Sequence, residues 1–297
     1  MDSFRSEQGY LQLLHDVLQN GERTKTRNGY TISSFGKMIS FNDIDKSFPL
    51  LTSKKMFIRG IIEELLWFLR GSTDANELKE KNVKIWNGNS SREYLDSVGL
   101  SHYKEGELGP VYGWQWRSFG KPYKKNNDLE GFDQLRYAIE ELLKPENSRR
   151  SVISGWNPLQ LHEMALPPCH ILYVFYKNSK GLHCSVSMRS TDLFLGLPFN
   201  IASAAILTHI IAKILHIKPC AISINMTDSH IYEEHIESVN KQIENDIFSP
   251  PQLMINKEAP SIGTTIEEKI RWINDLRFED FVLQNYNHND VLTAVMK

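Results

Sequence analysis

Residues 171–226, ILYVFYKNSKGLHCSVSMRSTDLFLGLPFNIASAAILTHIIAKILHIKPCAISINM, carry the pattern that decides the fold. Ile171 to Tyr176 is a short apolar run, Asn178-Ser179-Lys180-Gly181 is a turn, and Leu182, Cys184, Val186 and Met188 then alternate, which predicts a hairpin. Phe199 to Leu215 is too long for a strand, and Asn200, Ser203, Thr208, His209 and Lys213 interrupt it too often for a membrane span, so a buried helix is expected. Pro219 opens a further strand with Cys220, Ile222, Ile224 and Met226 on one face. Strands and helices interspersed without regular βαβ alternation predict an α+β fold, with a large mixed, mostly antiparallel sheet packed by helices.

Working outward, Tyr10, Leu13, Leu14, Val17 and Leu18 recur at helical spacing and predict an amphipathic helix over 6–20. A second helix is expected from Met56 to Arg70, stopped by Gly71, and a third from Phe132 to Leu143, ended by Pro145. Ser151 to Trp156 reads as a strand, and a last helix is expected near 230–243. No repeat and no Pro/Gly/Ser linker divides the 297 residues, so one domain over 1–297 is expected.

Composition narrows the function classes. Lysines and arginines number 34 against 36 acidic residues, a net charge of −2 that lacks the basic footprint of a dedicated nucleic-acid binder. Three cysteines, Cys169, Cys184 and Cys220, are too few and too scattered for a disulfide framework. The polar start MDSFRSEQGY is unlike a signal peptide, and with no membrane span expected the cytosol or nucleus is the expected compartment. Walker and dinucleotide-type glycine loops are absent, which disfavours ATP-driven and Rossmann chemistry.

Chemistry gathers at Leu166-Pro167-Pro168-Cys169-His170. Two prolines fix the backbone before a cysteine, and rigid presentation suits a nucleophilic thiol, although a lone cysteine is commonly only a small buried hydrophobe. Arginines at 149, 150 and 189 could favour the thiolate, the reactive form. Arg189 continues an alternating strand and is followed by Ser190 and Asp192, so charge approaches the core there; a phosphate dianion is a fitting partner for a guanidinium and a hydroxyl. Asn200 places an amide side chain at the mouth of the long apolar helix, where a helix N-cap is the competing reading. Glu64 precedes Leu65-Leu66-Trp67-Phe68 and should sit at the edge of an apolar surface, where its pKa rises. A metal site on His230, Glu233, Glu234 and His235 is a weak alternative, since histidines five apart do not share a helical face and HExxH is not formed.

Taken together the blocks ALPPCH, MRSTDLFLGLPFNIAS and DSHIYEEH, with RTKTRNGYTISSFG from 23, FPLLTSKK at 48–55, EELLWFLRGSTDANEL at 63–78, GELGPVYGWQWRSFG at 106–120 and SRRSVISGWNP at 148–158, resemble the thymidylate synthase family over nearly the whole chain. The resemblance implies a methyltransferase that converts dUMP to dTMP with 5,10-methylenetetrahydrofolate as one-carbon and hydride donor, without metal or nicotinamide. It implies Cys169 as the nucleophile at uracil carbon 6, Glu64 as the carboxylate near oxygen 4, and Tyr112 and His170 as polar residues around the base. It implies Arg23, Arg189 and Ser190 as phosphate ligands, His230 and Tyr232 at the deoxyribose hydroxyl, and Asn200 reading oxygen 4 and N3. For folate it implies Asp192 at the pterin, Lys54 near the glutamate tail, and Ile85, Trp86, Leu166, Gly196 and Phe199 as an apolar shelf. It further implies an obligate symmetric homodimer with sheets stacked across it and with Arg149 and Arg150 reaching the other subunit's site. Related hydroxymethylases of dUMP or dCMP and catalytically silent nucleotide binders are the neighbouring functions. Met188, Asn87, Asn89 and the terminal Lys297 depart from the family pattern.

Overall fold

The computed structural model describes residues 2–123 and 131–295. In chain order its elements are β1 (Asp2–Arg5), α1 (Ser6–Asn20), β2 (Glu22–Thr26), β3 (Gly29–Asn42), α2 (Ile58–Leu69), α3 (Asn76–Lys79), α4 (Arg92–Ser97), α5 (Tyr112–Ser118), α6 (Gln134–Leu143), β4 (Val152–Ser154), β5 (His170–Asn178), β6 (Gly181–Asp192), α7 (Gly196–Ile214), β7 (Pro219–Tyr232), α8 (Ile236–Glu244), β8 (Gln252–Ile255), α9 (Ile266–Asn274) and β9 (Phe281–Gln284). They fall into two compact units: one built from the segments before Ile58, Lys177–Asn256 and the segment from Phe281 onward, the other from Ile58–Tyr176 and Lys257–Asp280.

In the first unit, β7 alternates as its sequence requires, with Cys220, Ile222, Ile224 and Met226 all buried. It pairs antiparallel with β3 from Thr31↔Tyr232 to Asn42↔Ala221, and parallel with β6 from Leu182↔Pro219 to Asp192↔His230. On the other side of β3 lie β1, parallel to it, and β2, antiparallel. The sheet is thus mixed, as expected. The turn between β5 and β6 falls at Ser179-Lys180, where Lys180 N–H donates to Asn178 Oδ1 at 2.8 Å. Gly181 follows with φ +136°, and a Cβ there would meet Lys218 O at 2.1 Å.

Against this sheet packs α7, which is long and apolar enough to cross a membrane but is largely buried within the fold. Each Ile or Leu it removes from water contributes about 1.5–3 kcal/mol. The helix starts at Gly196, three residues before the expected Phe199, so Asn200 lies inside its first turns and is not an N-cap; that position belongs to Leu195. The expected helix near 230–243 also needs correction. Ser229, His230 and Tyr232 remain paired to β3, and α8 begins only at Ile236. Helix α1 is tied to β3 by an ion pair between Lys37 Nζ and Asp16 at 2.7 Å.

The second unit is mainly helical. Helix α2 buries Ile61, Ile62, Leu65, Leu66, Trp67, Phe68 and Leu69 and ends where Gly71, φ +74°, donates to Phe68 O, as its sequence predicts. Helix α5 approaches α2 closely because residue 113 is glycine: a Cβ there would sit 2.9 Å from Ser72 O and 3.0 Å from Phe68 O. That approach seats Tyr112 against Phe68, with ring centroids 4.9 Å apart. Strands β4 and β5 pair antiparallel through Ser154↔Leu172 to Val152↔Val174. Gln115, Asn157 and Gln160 share a buried amide network that holds the α5 start and the loop after β4 together, Gln115 Nε2 and Asn157 Nδ2 both donating to Gln160 Oε1 at 2.9 Å.

Candidate active site

In the second unit, α2 carries Glu64, the loop after Val83 carries Ile85 and Trp86, α5 opens with Tyr112, and Cys169 lies immediately before β5, whose first residue is His170. Trp86 Nε1–H donates to Glu64 Oε1 at 2.7 Å. Burial raises the Glu64 carboxyl to about 7, with the Trp86 hydrogen bond pulling the other way. The Cys169 backbone N–H donates to Tyr112 Oη at 2.8 Å, and the residue is half-buried. His170 is buried and stacks on Tyr112, centroids 4.1 Å apart at 22°. Burial lowers its pKa to about 3, so it is a neutral imidazole at ordinary pH. Trp86 meets Tyr112 edge-on at 6.1 Å, and Leu166 is half-buried just before the two prolines. Arg149 and Arg150 are exposed.

In the first unit, strand pairing places Ser190 opposite Asp228 and Asp192 opposite His230. Ser33 Oγ donates to Asp228 Oδ1 at 2.6 Å, and His230 Nδ1 lies 3.4 Å from Asp228 Oδ2. Burial works to raise the Asp228 carboxyl, but hydrogen bonds from His230 and Ser33 outweigh it and hold the pKa below the usual range. His230 and Tyr232 meet edge-on at 5.1 Å. The half-buried Arg189 sits on β6 next to Met188, which alternates in register with Cys184 and Val186 as a buried position of the strand. Arg23 on β2 makes a two-pronged pair with Glu233, at 2.6 and 3.1 Å, and lies 3.7 Å over the Tyr30 ring.

Asp192 Oδ1 accepts from the N–H groups of Phe194 and Leu195 at the entrance to α7. A methyl group added at Gly196 would lie 3.6 Å from Asp192 Cβ and 3.9 Å from Asn200 Oδ1, at ordinary contact distance from both. Phe199 and Asn200 are half-buried on the same turn. Lys54 is buried, donates to Phe194 O at 2.5 Å and lies 3.7 Å over the Phe194 ring; burial lowers its pKa to about 7. Cys184 is core, its thiol pushed up to about 12 by burial. Glu233 is spent on Arg23 and His235 Nε2 donates to Val295 O at 2.8 Å. Among the described residues no group of three or more His, Cys, Asp or Glu could hold a metal. A cavity of about 700 Å³ lined by Arg59, Glu63, Lys81 and Arg277 lies in the second unit and contains none of these candidates.

Sequence reasoning missed Tyr173, Asp228 and the role of Glu233. Strand pairing and side-chain reach bring them in, and neither is visible in local spacing.

A thiol with a held backbone, a carboxyl titrating near neutrality and a buried neutral imidazole gathered in one unit are the parts of a nucleophile with acid–base support. The thymidylate synthase family model matches residues 8–297, and the chain belongs to that family. It is 43% identical to the thymidylate synthase of Saccharomyces cerevisiae over 297 residues, covering 95% of this chain and 94% of the yeast protein. It is 42% identical to a bifunctional dihydrofolate reductase-thymidylate synthase of Paramecium tetraurelia over all of this chain and 62% of that protein. The match to the bifunctional protein of Leishmania major is 45% over 85% of this chain and 50% of that one. The chain thus spans about half to two thirds of the length of these bifunctional relatives.

Proposed function

We propose that the chain converts dUMP and 5,10-methylenetetrahydrofolate to dTMP and dihydrofolate. The observation that carries this is the joint presence in the second unit of Cys169, held through its N–H by Tyr112, and Glu64, raised to about 7 beside Trp86. The family membership supplies the reaction in which such a pair is useful.

In this reading the Cys169 sulfur adds to carbon 6 of uracil, the carbon 5–carbon 6 π pair moves toward carbon 5 and oxygen 4, and carbon 5 becomes nucleophilic. Glu64, with its carboxyl near half-protonated at neutral pH, donates a proton toward oxygen 4 and takes part in the proton's return. Carbon 5 attacks the methylene carbon of the folate and then loses its proton as the methylene–nitrogen bond breaks, releasing tetrahydrofolate and leaving an exocyclic methylene on the ring. Hydride from that tetrahydrofolate reduces the methylene to a methyl group while the Cys169 sulfur departs from carbon 6, giving dTMP and dihydrofolate. Arg23, Arg189 and Ser190 hold the phosphate, His230 and Tyr232 hold the sugar hydroxyl, and the Asn200 amide donates to oxygen 4 while accepting from N3–H. Asp192, Gly196 and Phe199 face the pterin, with Ile85, Trp86 and Leu166 as apolar cover and Lys54 toward the glutamate tail. The exposed Arg149 and Arg150 reach a second copy's phosphate in a symmetric homodimer.

The test uses dUMP tritiated at carbon 5. Tritium released into water in step with dTMP supports the reading; formation of 5-hydroxymethyl-dUMP, or no folate-dependent release, overturns it.

A further inference from the structure

His170 and Tyr173 are three residues apart on β5, a spacing that in a regular strand sends side chains to opposite faces. Both are nonetheless buried, and regular alternation resumes only from Tyr173 to Phe175. The outcome is a contact inside one element: Tyr173 Oη lies 3.1 Å from His170 Nδ1, with the rings at 88° and 5.7 Å between centroids. Trp116 closes on Tyr173 at 5.3 Å and 74°, and Phe68 lies 5.9 Å from His170. The two side chains are therefore caged by aromatic rings.

The direction of the hydrogen bond follows from proton affinities. A phenol is a stronger acid than a neutral imidazole N–H, and an imidazole nitrogen is a better base than a phenol oxygen. Tyr173 therefore donates to Nδ1, and the His170 proton resides on Nε2. That fixes both the tautomer and the ring's orientation, because turning the imidazole over would remove Nδ1 from the hydroxyl. The fixed ring is the one stacked on Tyr112, whose oxygen accepts the Cys169 N–H.

We propose that Tyr173 is a positioning residue for the thiol centre: its hydroxyl holds His170 as the Nε2–H tautomer, and the oriented imidazole keeps Tyr112 in place under Cys169. The catalytic part of this inference rests on the function proposed above; the tautomer part does not.

The experiment uses the full chain labelled with nitrogen-15 at histidine, as wild type and as Tyr173→Phe, with the His170 signals assigned by their loss in His170→Asn. The wild type is expected to show a pyridine-like Nδ1 and a pyrrole-like Nε2, and Tyr173→Phe to show averaging between tautomers. In steady-state assays Tyr173→Phe is expected to lower kcat about five-fold, the size of one net neutral hydrogen bond, with KM for dUMP within two-fold. In a His170→Asn background the same substitution is expected to cost nothing further. An Nδ1–H signal in the wild type, unchanged signals in Tyr173→Phe, or an equal loss of kcat in both backgrounds overturns the proposal. A lowered Tm with wild-type kcat does so as well, since that marks a purely structural role. Wild-type protein that makes no dTMP refutes the function proposed above instead, and the nitrogen signals then decide the tautomer.

Discussion

The backbone N–H of Cys169 donates to the phenol oxygen of Tyr112 at 2.8 Å, joining the first residue of α5 to the residue before β5. The backbone that carries the thiol is thus anchored to an aromatic ring that itself meets Phe68 and His170. Replacing Tyr112 by Phe leaves that N–H without its acceptor, at a cost of about 1–3 kcal/mol. The expected result is a roughly ten-fold fall in kcat/KM and a Tm lowered by several degrees, read by steady-state kinetics and thermal melts. Unchanged kinetics would show that the anchor does not matter to catalysis.

Glu64 provides a pH signature. Its folded pKa, about 7, lies above its unfolded value of 4.5, so the native state holds a proton that the unfolded chain releases first. The carboxyl therefore costs stability as pH rises from about 4.5 through 7, by at most about 3 kcal/mol. Glu64→Gln should remove this loss, so that the variant gains on the wild type between pH 5 and pH 8 in denaturant melts. The same substitution is expected to lower kcat by about 10²–10⁴ and to erase the inflection near pH 7 in its pH profile.

Asn200 lies in the second turn of α7, partly exposed and beside Gly196. Its amide can match a uracil edge by donating to oxygen 4 and accepting from N3–H, whereas cytosine needs the reverse. Asn200→Asp is expected to lower kcat/KM for dUMP and raise it for dCMP, measured side by side. An unchanged ratio contradicts the assignment of Asn200 to the base.

Arg23 is held by Glu233 through two hydrogen bonds on an exposed part of β2. A phosphate that engages this guanidinium must displace the carboxylate, and exposed pairs of this kind contribute about 0.2–1 kcal/mol. Glu233→Gln should therefore lower KM for dUMP about two- to five-fold and leave kcat unchanged. A raised KM would place Arg23 outside the phosphate site.

Much of this was legible from residue types alone. The apolar alternation of β6 and β7, the Phe199–Leu215 run, the Gly71 stop and the Pro-Pro-Cys-His presentation are local patterns, and local patterns survive folding. So is the position of Glu64, since an acid at the edge of an apolar helical face must either pair or neutralise. What stayed hidden depends on pairing between distant segments. Strand β3 is interrupted in sequence by Gly36 and scattered serines, and its register with β7 carries that strand past His230 to Tyr232. Glu233 meets Arg23 across 210 residues. Asp228 collects Ser33, Ser190 and His230 from two neighbouring strands and its own. Tyr173 was invisible for a different reason, because ideal strand periodicity places it away from His170. Met296 and Lys297, whose terminus departs from the family pattern, lie outside the described residues.

The central claim is that Cys169 drives folate-dependent methylation of dUMP. Its most direct test mixes the protein with dUMP and 5,10-methylenetetrahydrofolate, follows dihydrofolate by ultraviolet absorbance, and repeats the assay with Cys169→Ala. The account predicts equal yields of dTMP and dihydrofolate from the wild type and none from the alanine variant; no dihydrofolate from the wild type, or full activity without the thiol, would contradict it.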